Sequence, residues 1–102
     1  MEAIDRKFKI TAVCTEHGHV YTEENSVLFC AKDATLPAVL RCARDICRQM
    51  GADARQLLGY QLLIERVERW QAEHGQQVKI PDVDLGPAGD AIVARNEEVR
   101  PL

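Results

Sequence analysis

Between Leu36 and Met50, apolar residues recur every three or four positions: Leu36, Val39, Leu40, Ala43, Ile46, Cys47 and Met50. That spacing draws one wide apolar stripe along an α-helix. Thr35 precedes it as a candidate cap, and Pro37 falls in the first turn, where a missing N–H costs nothing. Gly51 suits the left-handed position that stops a helix. Asp53 then opens a second helix almost at once, with Gln56 placed to complete a capping box. Two helices joined so tightly must fold back on one another, so the sequence predicts an antiparallel pair around which the rest is arranged.

The second predicted helix runs to His74-Gly75 and is apolar on more than one side. Tyr60, Leu63, Ile64, Val67 and Trp70 form one stripe, while Leu58 and Leu62 fall well round from it. A helix of this kind must touch two things. It lies between the first helix and a sheet, or it presents Leu58 and Leu62 to a second copy of the chain. Glu65 and Arg69, four apart, suit an exposed edge.

Ahead of the helices the period changes. Phe8, Ile10, Ala12 and Cys14 alternate with Lys9, Thr11 and Val13, which predicts a half-buried strand. Glu16-His17-Gly18 is a turn signal, His19–Thr22 a returning strand, and Glu23-Glu24-Asn25 a second turn. Ser26–Ala31, centred on Val27-Leu28-Phe29, reads as a third strand. From Gln76 onward Pro81, Gly86, Pro87 and Gly89 are scattered among acids, with only Ala91-Ile92-Val93-Ala94 apolar. The expected architecture is α+β: a three-stranded antiparallel sheet (β-β-β), two antiparallel helices and a loosely held C-terminal tail. Residues 1–75 form a single domain and 76–102 an extended tail. Ile92 and Val93 can add a strand to an exposed sheet edge, in the same molecule or a partner's.

A chain of 102 residues with 46% hydrophobic and 28% charged residues can build a modest core without external staples. Its first residues alternate charge with single apolar side chains and show neither a signal-peptide h-region nor a transmembrane run, so a cytoplasmic location with no membrane partner is expected. In a reducing compartment four cysteines are thiols or metal ligands rather than disulfides. A net charge of −3 argues against non-specific nucleic-acid binding.

The motif richest in chemistry is a matched pair: Cys14-x-x-His17-Gly18 and Cys30-x-x-Asp33. A two-residue spacer lets two ligands point inward from one turn, and two such pairs at the ends of a hairpin can close a tetrahedral zinc shell. Over about residues 12–50 this order of turn, hairpin and ligand pair leading into a helix resembles the treble-clef zinc fingers, and in its first half the zinc ribbons. The resemblance implies a structural Zn2+ held by Cys14, His17, Cys30 and Asp33. Asp33 departs from the family pattern, where Cys or His is commoner, and His19 is the substitute ligand. The metal-free account treats Cys14 and Cys30 as small core hydrophobes, His17-Gly18 as a hairpin turn and Asp33 as a helix-start acid. Cys42 and Cys47 belong to the packing of the first helix.

No phosphate-binding glycine loop, Gly-x-Ser-x-Gly or His-Glu-x-x-His is present, and no base-orienting group accompanies Cys14, so no enzyme is expected. Arg41, Arg44 and Arg48 recur on the first helix as a basic face for an acidic partner or for phosphates, with Asp45 among them. The sequence thus predicts a small non-enzymatic protein-interaction or regulatory module carrying a structural zinc. The alternatives are a nucleic-acid-associated zinc module using the basic face, and a metal-free α+β dimerisation domain.

Overall fold

A computed structural model describes residues 2–95. In chain order these hold strands β1 (Thr11–Val13) and β2 (Val20–Thr22), helices α1 (Leu36–Gln49) and α2 (Ala54–Glu73), a 3-10 turn (Gly75–Gln77) and helix α3 (Gly86–Ala94). The broad class is α+β, but the expected three-stranded sheet followed by two helices and a tail is corrected to a two-stranded antiparallel sheet with three helices. The chain divides into two units. One comprises the residues up to Leu28 with those from Asp82 onward, the other Phe29–Pro81.

In the first unit β1 pairs with β2 in the register Thr11↔Thr22, Ala12↔Tyr21 and Val13↔Val20. The ladder continues through the Cys14 N–H, which donates to the His19 carbonyl at 2.9 Å, and the Gly18 N–H closes the loop on the Cys14 carbonyl at 2.8 Å. Gly18 sits at φ +73°, where an L side chain is strained, which explains glycine at the turn. Glu23 and Asp5 gather the N-terminal segment. The Ile4 and Asp5 amides donate to the Glu23 carbonyl, and the Ile10 amide donates to Glu23 Oε1. Asp5 accepts from the Lys7 and Phe8 amides on Oδ1 and from the Leu28 amide on Oδ2.

That last bond bears on the missing third strand. The Leu28 amide is spent on a carboxylate rather than on a ladder, and Val27, Leu28 and Phe29 are all exposed. The expected strand at Ile92 and Val93 is also corrected, because both residues lie in α3.

The second unit is built on the helical hairpin. α1 ends in a Schellman motif: the Ala52 N–H reaches the Cys47 carbonyl, the Gly51 N–H reaches that of Arg48, and Gly51 takes φ +89°. The capping box at the start of α2 is present in both directions, with the Gln56 amide donating to Asp53 Oδ1 at 2.8 Å and the Asp53 amide to Gln56 Oε1 at 3.0 Å. At the other end His74 Nδ1–H donates to the Trp70 carbonyl and the two rings stack, centroids 4.1 Å apart. Arg41 bonds Glu68 while Arg44 bonds Gln61, so positions ascend on one helix as they descend on the other. The helices are antiparallel, as the short connection requires.

Ile64, 0% exposed, and Val67 from α2 are buried, as is Leu36 at the start of α1. Sealing Ile64 from water contributes about 1.5–3 kcal/mol. Gln71 then ties α2 to the segment before α1, its Nε2 donating to the carbonyls of Ala31 (3.0 Å) and Asp33 (2.7 Å). On the same segment Lys79 forms an isolated parallel bridge with Asp33: the Ala34 N–H donates to the Lys79 carbonyl and the Lys79 N–H to that of Lys32. Of the expected third strand, the Ala31 carbonyl is thus spent on Gln71.

Candidate functional site

The residues named for a zinc site are placed as follows along the fold. Cys14 and His17 lie on the β1–β2 hairpin in the first unit, whereas Cys30 and Asp33 precede α1 in the second. Among the described residues no three or more His, Cys, Asp or Glu side chains are grouped to hold a metal ion. Two of the named ligands are also engaged elsewhere. His17 Nδ1 accepts the His19 N–H at 3.2 Å, with the two imidazoles 4.0 Å apart. Asp33, 5% exposed, accepts from the Thr35 amide and the Thr35 hydroxyl, both at 2.7 Å on Oδ1. The acid, rather than Thr35, therefore dresses the start of α1.

The arginines of the basic face are bonded to the hairpin's own acids. Arg41 pairs with Glu68 across the two helices at 2.7 Å. Asp45 takes the guanidiniums of both Arg44 (3.2 Å) and Arg48 (2.9 Å), and Arg44 also donates to Gln61 Oε1. The Arg44 hydrogen bond, joined by that of Arg48, holds the Asp45 carboxyl below its ordinary pKa. A guanidinium already bonded to a carboxylate must break that bond before it can grip a phosphate.

What the hairpin leaves open is apolar. On the inner side of α2 the Cys47 thiol of α1, with burial, raises the Tyr60 phenol's pKa above its usual value. The two residues on either side of that position, Leu58 and Leu62, lie about 160° round the helix from Tyr60. They are 56% and 43% exposed. α1 has its own uncovered residues in Val39, Ile46 and Met50, the last 82% exposed. The sequence singled out Leu58 and Leu62 and placed Glu65 and Arg69 on an exposed edge. Glu65 and Arg69 are both exposed, and Glu65 Oε1 accepts from Gln61 Nε2 at 3.3 Å. Arg55 was passed over, and the signal for it is its place three residues before Leu58, mirroring Glu65 three residues after Leu62.

Among the described residues no helix is long and apolar enough to cross a membrane. Compared with protein-family models, curated proteins and solved structures, the chain matches none of them.

Proposed function

We propose that the chain is a small non-enzymatic protein-interaction module of the cytoplasm, docking through the apolar residues that its helical hairpin leaves uncovered. One observation carries this reading: α2 is apolar on two sides, one spent on α1 and the other, Leu58 and Leu62, exposed. Exposed leucines at i and i+4 on a helix form the anchor pattern of helix-mediated recognition. Four unpaired cysteines suit a reducing compartment and support the cytoplasmic placement. The arginines of α1 are bonded within the hairpin, which favours a protein partner over a nucleic acid. The reading requires no bound metal.

A photo-crosslinking residue placed at Leu58 or Leu62, with a control at exposed Glu73, tests it in the cell that makes the protein. Discrete protein adducts from Leu58 and Leu62, absent from the control position, are expected. Adduct yields at Leu58 and Leu62 no higher than at Glu73 would overturn the reading.

A further inference from the structure

The partner itself can be named, on the footing of the interaction reading above. We propose that the outer face of α2 docks antiparallel against the same face of a second copy of this chain. A two-fold interface is self-complementary: if one residue meets another, the reverse contact is made as well. Along the exposed side of α2 the order is Arg55, Leu58, Leu62, Glu65, symmetric in position about Tyr60 and antisymmetric in charge. Turning a second α2 by a two-fold axis at that level sets Leu58 against the partner's Leu62 and Arg55 against the partner's Glu65. Each pairing is made twice. A parallel arrangement sets Arg55 beside the partner's Arg55 and Glu65 beside the partner's Glu65, so like charges select against it.

Gly59 is a second observation on the same face. It lies inside α2, exposed, with nothing within 4 Å of where a Cβ would stand. A glycine inside an exposed helix costs about 1 kcal/mol relative to alanine, and no crowding within the chain accounts for it. In the antiparallel register it falls on the same flank of the leucine seam as the partner's Gly59, where two missing side chains let the backbones approach. Neither Arg55 nor Glu65 takes part in any of the salt bridges of the described chain. Glu65 Oε1 accepts from Gln61 Nε2 at 3.3 Å, so Oε2 is the oxygen that meets the partner's Arg55.

The test is the mass of the purified chain by light scattering, from micromolar to near-millimolar concentration, for the natural protein, Arg55→Glu, Glu65→Arg and the double variant. Each single swap sets like charges together at two symmetry-related places and raises the dimer Kd about tenfold or more. The double swap restores opposite pairing and returns Kd to within about threefold of the natural value. An equimolar mixture of the two single variants forms a heterodimer that neither forms alone, which also shows that both are folded. A natural chain of monomer mass throughout, or single swaps without effect on Kd, would overturn the proposal. Crosslinks from Leu58 to another protein only would also sink self-pairing while leaving the interaction reading intact. Absence of any crosslink would sink both.

Discussion

Asp33 shows how one side chain suits two incompatible roles at the residue scale. Its spacing from Cys30 is that of a metal ligand, and its place before a helix is that of a cap. The structure has it accept both the amide and the hydroxyl of Thr35 while nearly excluded from solvent. The carboxylate is therefore worth what a helix-start acceptor is worth. Asp33→Ala is expected to lower unfolding free energy by about 0.5–2 kcal/mol, and Asp33→Asn by less, because asparagine caps nearly as well. Urea unfolding followed through Trp70 fluorescence measures both. The loss is expected to be equal with and without a chelator; a loss confined to chelator-free protein would return Asp33 to the metal. The choice between these roles was not legible in the sequence, because Cys-x-x-His and Cys-x-x-Asp describe spacing along the chain. Whether two such pairs meet depends on packing between residues far apart in it.

The elements themselves were legible wherever their determinants lie within a few residues. The end of α1 follows from Gly51 and the start of α2 from Asp53 and Gln56, and each is made by bonds between near neighbours. The two glycines of this hairpin accordingly respond in opposite directions to alanine. At Gly51 a Cβ must adopt φ +89°, so Gly51→Ala costs about 1 kcal/mol. At Gly59 the backbone is helical and the space open, so Gly59→Ala gains about 0.5–1 kcal/mol. Denaturant unfolding in the Arg55→Glu background, where association is weakened, reads both values; the same sign for both would refute the account. The third strand was misread for a reason at this scale too. The run Val27-Leu28-Phe29 has strand composition, but a strand needs a neighbour with free donors and acceptors. Here the Leu28 amide is claimed by Asp5 and the Ala31 carbonyl by Gln71.

At the scale of the whole molecule, each unit rests on carboxylates as well as on its few buried apolar side chains. Backbone donors, Leu28 foremost at Asp5 and Ile10 at Glu23, hold both carboxyls below their ordinary pKa values. A carboxyl whose folded pKa is depressed stabilises the fold above its unfolded pKa, and that contribution disappears as pH falls through the folded value. Acidification below the usual carboxylate range is therefore expected to loosen the first unit. Amide exchange at Ile4, Ile10 and Leu28 is expected to accelerate there, and Asp5→Asn to blunt the response at Leu28; exchange indifferent to pH after correction for its intrinsic rate would contradict this. The helical pair, the Gly51 stop, the Asp53–Gln56 capping box and the two-sided second helix were determined by the sequence alone, because periodicity and these caps are local properties of a few successive residues. Only the tertiary structure decided that Gln71 serves carbonyls as far as forty positions away, that Lys79 bridges to the segment before α1, and that the Cys14–His17 and Cys30–Asp33 pairs lie in different units. Those outcomes depend on which distant groups satisfy one another's hydrogen bonds, and no spacing along the chain encodes that.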